Sequence, residues 1–335
     1  MLRFLTLTIL LICSIFQAEF ACADTAFVER PDVQAFIQSM VQKHKFNKKE
    51  LIALFNQVKM RPQVMGHINK PLEIKPWYTY QMLFVNEWRI EHGVKFWNKY
   101  ADVLKRAEET YGVPASIIVA TIGVETKYGQ RTGDFPVIDS LSNIGFSQSS
   151  RANYFKRELE QFLLLCREQH LNPLKVMGSY AGAIGQPQFM PTSYRYYAVN
   201  FSKSGKIDLM NDEVDVIGSI ANYYNKSGWK MNAPVARQAV AIGDRYDYLM
   251  RKNLLDKQIT ISELARYGVV PKQPLAQDDL KVKVIELESR YKKEYWLTFS
   301  NFGVIKRYNP SDLYAMAVYQ LSVYITDLRN HSTHG

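Results

Sequence analysis

Beyond its first 23 residues the chain has one cysteine, Cys166, so no intrachain disulfide can form there. No apolar run after residue 23 reaches the length needed to span a bilayer. The six histidines, His44, His67, His92, His170, His331 and His334, show no zinc-ligand spacing. No glycine-rich turn has P-loop spacing, no Ser-His-Asp pattern stands out, and there is no repeat or low-complexity tract. A structural zinc site, a nucleotide-phosphate cradle and a repeat fold are thereby excluded as readings. Cys166 follows Phe162-Leu163-Leu164-Leu165 and reads as a small buried hydrophobe, because no basic microenvironment is evident to activate a thiolate.

The composition that remains is ordinary. Apolar residues make up 47% and charged residues 22% of 335, which rules out a disordered or collagen-like chain. The length allows one elaborated domain or two to three small ones. The 42 Lys and Arg outnumber the 32 Asp and Glu, a net +10. That excess either keeps the protein soluble or holds it to an anionic polymer or lipid surface. Nucleic acid fits poorly, since there is no Cys/His finger and no basic helical run.

Residues 1–23 read as a signal peptide. Arg3 is a short positive start, Phe4 to Phe16 is almost continuously apolar, and Ala21-Cys22-Ala23 fits small-x-small cleavage before Asp24. An exported, periplasmic protein, soluble after cleavage, is the reading favoured over an uncleaved anchor or lipid attachment at Cys22. The latter wants an aliphatic residue and small residues where Glu19 and Phe20 stand.

Apolar spacing predicts helices over 32–41, 48–58 and 87–111, from Pro114 to Gly129, and over 151–170, 214–227 and 311–328. Residues 60–76 hold Pro62, Gly66, Pro71 and Pro76 and read as a loop. Strand-like runs cluster after Trp229, notably Val282 to Leu287 with period-two alternation and Tyr295 to Ser300. The fold class is mainly α with a small α+β insert.

Two segments carry chemistry. In Val113 to Gly129, Ile118, Thr121, Ile122 and Glu125 share one helical face. A carboxylate at the end of an apolar face is desolvated, which favours its protonated form, the state a general acid needs. The other reading is a helix-edge Glu that reaches solvent or an Arg. In Gly178 to Ser193, Gly178, Gly182 and Gly185 remove side chains where backbone approaches something closely. Ser179 and Gln188 add hydrogen-bonding groups, and Phe189 and Met190 add apolar surface. That segment serves either a sugar face or close helix packing.

Together, Ile122-Gly-Val-Glu125-Thr-Lys-Tyr-Gly129 and Ser179-Tyr-Ala-Gly-Ala-Ile-Gly-Gln-Pro-Gln-Phe-Met-Pro191 closely resemble the membrane-bound lytic murein transglycosylase B family. Val214 to Tyr223 and Arg307-Tyr308-Asn309 match as well, so the resemblance spans nearly all of residues 24–335. It implies a lysozyme-like catalytic core (76–230 plus 294–330), a helical N-terminal region (24–75) and a small β-containing inserted domain (231–293). It also implies cleavage of the MurNAc–β-1,4–GlcNAc bond of peptidoglycan with a 1,6-anhydro-MurNAc product. By the same matching Glu125 falls on the single catalytic acid. Ser179, Gln188, Tyr223 and Asn309 fall on glycan-contacting or Glu-supporting positions, and Arg151 and Tyr154 on substrate positions. Tyr80, Phe189, Tyr308 and Tyr314 are further carry-overs. The implied partners are glycan strands and wall-remodelling proteins, not nucleic acid, for a chain read as a monomer.

The resemblance also implies an EF-hand-like calcium loop, whose ligands here would be Asn200, Ser202, Ser204, the Lys206 carbonyl and Asp215. Asn and Ser replace early acidic ligands and Lys203 and Lys206 add positive charge, so weak or absent calcium binding is expected and no cofactor is required. Two alternatives remain at this stage. One is a lysozyme-type hydrolase with a second carboxylate opposite Glu125, Asp134 and Asp139 being nearest in sequence. The other is a non-catalytic peptidoglycan-binding protein.

Overall fold

The structure is a computed structural model, which describes residues 26–68, 75–251, 258–275 and 279–333. The leader and its cleavage site lie outside the described residues. The described chain forms two compact units, divided between Asn56 and Gln57.

The first unit holds a short 3-10 turn (Phe27–Glu29), α1 (Pro31–His44) and α2 (Lys48–Phe55). Asn47 caps α2, its side chain accepting from the Lys49 and Glu50 amides and satisfying donors that the first turn leaves open. Lys45, left-handed at φ 59°, ends α1. Phe55 is fully buried, and its ring meets Phe27 and Phe36 at 6.4 and 5.9 Å.

The second unit begins with α3 (Pro62–Ile68), α4 (Trp77–Phe84), α5 (Glu87–Lys99), α6 (Ala101–Tyr111) and α7 (Ala115–Thr126). It continues through β1 (Phe135–Pro136), α8 (Val137–Gly145), α9 (Ala152–Glu168), β2 (Met177–Gly178), α10 (Pro191–Tyr197) and α11 (Glu213–Lys226). Next come β3 (Ala236–Ala241), α12 (Tyr246–Arg251), β4 (Ile259–Thr260), α13 (Ile261–Arg266), β5 (Val269–Pro271), β6 (Lys281–Glu288) and β7 (Lys293–Thr298). The chain then runs through α14 (Ser300–Tyr308) and α15 (Asp312–Thr333).

Helix α7 is the centre of this unit. Its run of Ile, Val and Thr has modest helix propensity, so tertiary burial must hold it. Every residue except Ser116 and Glu125 is buried. The apolar stripe foreseen on one face is in fact a helix wrapped all round by α5, α6, α11 and α15. Burying its Ile and Val side chains contributes about 1.5–3 kcal/mol each.

Strands β4-β6-β7-β3-β5 form a five-stranded sheet in that order, antiparallel at each pairing. Val282, Val284 and Leu297 pack with Ile261, Leu264 and Tyr246 in the sheet's own core. The period-two reading of β6 holds, except that Ile285 is also buried. Strands β1 and β2 pair separately, Phe135 opposite Gly178.

Several expected boundaries shift. Pro62 begins α3 instead of breaking it, because a first-turn proline loses no helical hydrogen bond. This helix packs on α8, and the second compact unit starts at Gln57, within the 24–75 region drawn from sequence. The single long helix of 87–111 is broken at Tyr100 (φ −114°, ψ 29°) into α5 and α6. Strand β7 carries the sheet to Thr298, past the limit drawn at 293. Cys166 is buried as expected, and burial pushes its thiol up to about 12.

Candidate active site

Glu125 stands half-exposed on the last turn of α7. The helix stops one residue later, and Lys127, Tyr128 and Gly129 are all left-handed, at φ 52°, 57° and 83°. The end lies three residues before Gly129. Two non-glycine residues in this region carry backbone strain, so the surroundings must hold them there.

Those surroundings are visible on both sides. The Tyr128 hydroxyl donates to the Arg89 carbonyl at 2.6 Å, and Arg89 Nε donates to the Gly123 carbonyl at 3.0 Å. A Cβ on Gly123 would sit 2.5 Å from the Tyr128 hydroxyl, so only glycine admits this ring. On the other side, Thr126 Oγ1 donates to the Gln186 carbonyl at 2.9 Å and accepts from the Gly129 amide at 3.1 Å. The turn that presents Glu125 is therefore tied to α5 and to the glycine-rich loop at once.

Helix α15 supplies the partner of the acid. The Tyr314 hydroxyl donates to Glu125 Oε1 at 2.6 Å. Tyr314 is 2% exposed, and burial, followed by the neighbouring Glu125 charge, keeps its phenol well above the usual range. It stays a donor at any physiological pH. Tyr224 lies beneath, donating to Thr121 Oγ1 at 2.9 Å, while Thr121 donates on to the Ile117 carbonyl at 2.8 Å.

The other carried-over aromatics form one cluster. The Tyr308 ring lies 6.3 Å from Tyr314 and nearly parallel to it, and its hydroxyl donates to the Pro187 carbonyl at 2.5 Å. The Tyr223 hydroxyl donates to the Arg307 carbonyl at 2.6 Å, and its ring is 4.7 Å from Tyr308. Phe189 meets both, at 5.6 and 5.7 Å. Burial, with smaller pushes from Tyr197 and Tyr154, raises Tyr223 to about 12. Tyr154 itself rises to about 12 through burial and Glu158.

The loop from Gly178 to Pro191 is shaped by its own hydrogen bonds. Ser179 exchanges backbone bonds with Ala183 and Gly182, and its Oγ accepts from the Ala183 amide at 3.1 Å. Gln188, left-handed at φ 51°, donates through Nε2 to the Thr132 and Gly185 carbonyls, both at 2.9 Å. A Cβ on Gly178 would meet the Ala183 carbonyl oxygen at 2.2 Å. The glycines thus let the loop fold on itself, and Ser179 and Gln188 stay half-exposed at its surface.

Not every carried-over residue joins this group. Tyr80 is 2% exposed in α4, packed on Trp77 and Phe84, and offers no open ring face. Phe189 and Tyr314 are equally buried and act from behind the surface. Arg151 is exposed, its guanidinium over the Tyr154 and Phe155 rings. Asn309 follows Tyr308 at the end of α14, half-buried, its carbonyl accepting from the Ser311 amide at 2.8 Å. Sequence reasoning passed over Arg89, Tyr128, Tyr224 and Gln186. Tyr128 lay inside the Glu125 motif, and the available signal was two glycines, Gly123 and Gly93, whose added Cβ atoms would sit 2.5 and 2.7 Å from the Tyr128 hydroxyl.

The two aspartates nearest in sequence sit in different surroundings. Asp139 is buried and accepts from the Lys59 amide at 3.0 Å and from Arg61 Nε at 2.6 Å. Asp134 is exposed. In the 200–215 loop the candidate calcium ligands are engaged with one another. Asp215, fully buried, accepts from the Ser202 and Asp208 amides at 2.8 and 3.0 Å. Asn200 Oδ1 accepts from the Ser204 amide, and Ser204 Oγ donates to the Lys206 carbonyl. Among the described residues no group of three or more His, Cys, Asp or Glu could hold a metal ion. In this structure the loop's oxygens accept from the loop's own donors, and Asp215 is the one carboxylate among the five candidate ligands.

A family model described as a transglycosylase SLT domain matches residues 29–323. The chain belongs to the SLT transglycosylase family. It is 39% identical over 305 residues to the membrane-bound lytic murein transglycosylase B of Escherichia coli K12, covering 88% of this chain and 82% of that protein. The soluble lytic transglycosylase SltB1 of Pseudomonas aeruginosa superposes with a TM-score of 0.82 at 41% identity, over 90% of this chain and 100% of that one. SltB3 of the same organism, solved with NAG-NAM-pentapeptide, gives 0.77 at 26% identity over 88% and 78%. This SLT-family chain is a lytic transglycosylase with the expected lysozyme-like α+β fold. Among its described residues no helix is long and apolar enough to cross a membrane.

Proposed function

We propose that the enzyme cleaves the MurNAc–β-1,4–GlcNAc bond of peptidoglycan and leaves a 1,6-anhydro-MurNAc end, with Glu125 as its single acid and base. The observation that carries this is the pairing of Glu125 with a buried tyrosine donor, while Asp139 is committed to Arg61. A two-carboxylate glycosidase needs a second group to act as nucleophile or base, and the Arg61 pairing of Asp139 supports the reading without one.

In the first step the Glu125 carboxyl gives its proton to the glycosidic oxygen. The C1–O bond breaks as the MurNAc N-acetyl oxygen bonds to C1. In the second step the Glu125 carboxylate takes the proton of the C6 hydroxyl. O6 then bonds to C1, the bond to the N-acetyl oxygen breaks, and the acid is restored. No water is consumed. The Tyr314 hydroxyl holds the carboxyl in one orientation and stabilises the carboxylate formed between the steps. Ser179 still has its hydroxyl proton to donate outward, which suits an acceptor on the sugar.

The test is mass spectrometry of products released from purified sacculi by residues 24–335, beside Glu125→Gln. Products one water lighter than hydrolytic ones, absent from the variant, are expected. Reducing-end products would make the enzyme a hydrolase.

The leader pattern supports export to the periplasm, where glycan strands are met. The closed hydrogen-bonding of the 200–215 loop supports activity without calcium. A site of 10 µM affinity would add about 2.7 kcal/mol in 1 mM calcium, roughly 4 °C in melting temperature for a protein this size. Equal melting in calcium and in chelator is expected, and a rise of that size would refute it.

A further inference from the structure

A large cavity that Glu125 does not line lies between the sheet and α14. It has a volume of about 690 Å³, within the roughly 300–1,000 Å³ typical of ligand sites. Ile285, Phe299 and Phe302, all buried, give it an apolar floor. Its rim is charged, and the charges are unequally committed. Lys306 is paired with Asp312 at 2.6 Å. Glu286 is paired with Lys293 at 2.8 Å and accepts from the Tyr246 hydroxyl at 3.2 Å. Both acidic groups of the rim are thereby neutralised within the protein.

Two rim cations have no such partner among the described residues. Lys283 is exposed on β6 and makes no ion pair there. Arg307 donates through one guanidinium nitrogen to the Ser227 carbonyl at 2.7 Å and makes no ion pair among the described residues. An apolar floor with two cations at its edge selects a ligand with hydrocarbon and a free carboxylate. A bare glycan, which has no apolar side chains, does not need such a floor.

The cavity is also joined to the catalytic centre by covalent chain. Arg307 lines it and also accepts the Tyr223 hydroxyl on its carbonyl. The next residue is Tyr308, whose ring stacks on Tyr314, the donor to Glu125. One residue of α14 thus separates the cavity lining from the aromatic cluster behind Glu125, a separation that suits a ligand carried as a substituent of the chain being cut.

We infer that this cavity is a subsite for the short carboxylate-bearing peptide attached to the glycan strand, with Lys283 and Arg307 receiving its carboxylates. The inference rests on the peptidoglycan reading above. Occupation of the subsite registers the strand on the enzyme and makes the enzyme prefer peptide-bearing glycan.

Two variants test it without touching the Glu125 cluster. Lys283→Glu reverses a rim charge. Gly303→Gln places a side chain at a helix position where a Cβ meets nothing within 4 Å, so it fills the cavity mouth without displacing the fold. Each is compared with wild type on intact strands and on strands stripped of peptide by an amidase. The expected result is a five- to tenfold loss of kcat/KM on peptide-bearing strands, carried by KM, and none on stripped strands. Equal losses on both substrates, or none on either, would overturn the subsite. Binding of peptide-bearing strands to Glu125→Gln protein, with and without Lys283→Glu, separates the two readings. If wild type forms no anhydro product but Lys283→Glu weakens binding only to peptide-bearing strands, the reaction assignment fails and the subsite stands.

Discussion

The Tyr314–Glu125 hydrogen bond gives the sharpest test of how this site works. Tyr314→Phe removes one oxygen from a ring that is 2% exposed and leaves the ring's contact with Tyr308 in place. The lost bond is 2.6 Å long and ends on a carboxylate. Hydrogen bonds to charged groups are worth about 1.5–3 kcal/mol, and each 1.36 kcal/mol is a factor of ten in rate. If the bond acts mainly on the carboxylate formed between the two steps, kcat should fall about 10- to 150-fold, while KM stays near wild type. Glu125 is half-exposed, so solvent can replace the donor and the fold should lose less than about 1.5 kcal/mol. The assay is the initial rate of anhydro-product release from saturating glycan, run beside thermal unfolding. A kcat within twofold of wild type, with the melting temperature also unchanged, would show that Tyr314 neither orients nor stabilises the acid. The reasoning from geometry would then be wrong. Tyr224→Phe is the useful comparison, since its hydroxyl ends on Thr121 and not on the carboxylate. Its cost should fall on stability, about 0.5–1.5 kcal/mol for a neutral bond.

Gly123→Ala forces a Cβ to within 2.5 Å of the Tyr128 hydroxyl. Overpacking of about 1–3 kcal/mol, less about 1 kcal/mol of helix propensity, should lower both melting temperature and kcat. Gly66→Ala, with nothing within 4 Å, should do neither, and equal behaviour of the two would refute the cradle. Asp139→Asn strips the charge from a buried ion pair whose Arg61 partner is about one-third exposed. A loss of about 2–4 kcal/mol in urea unfolding is expected, with anhydro product still formed by the folded fraction. Lost activity at unchanged stability would instead make Asp139 the second catalytic carboxylate. Cys166, its thiol raised to about 12 by burial, should be almost wholly protonated at pH 8, since thiolate is the reactive form. A thiol reagent should label residues 24–335 only after denaturation, and fast labelling of the native protein would contradict the burial.

The local elements were legible where local rules dominate. Pro114 and the aliphatic run announced α7, and the alternation of Val282 and Val284 announced β6, because periodicity records which face is buried. Glu125 was legible because a lone carboxylate ends a run of buried aliphatics. Pro62 misled, since a proline reads as a breaker wherever it stands, and only the helix that follows shows it at a first turn. The break at Tyr100 was hidden because both α5 and α6 carry apolar spacing through it.

What the sequence determined alone was therefore the inventory: one half-buried acid, a small-residue loop, an alternating strand and a cysteine with no partner. Tertiary structure decided how these meet. Tyr314 reaches Glu125 across 189 residues, and Tyr308 reaches Pro187 across 121, pairings that no local periodicity encodes. The calcium-like loop shows the same division. Its composition showed weakened ligands, but only the fold shows that Asp215 turns both carboxylate oxygens onto backbone amides. Composition fixes which groups are present, whereas long-range packing fixes which of them are left over to act on a substrate.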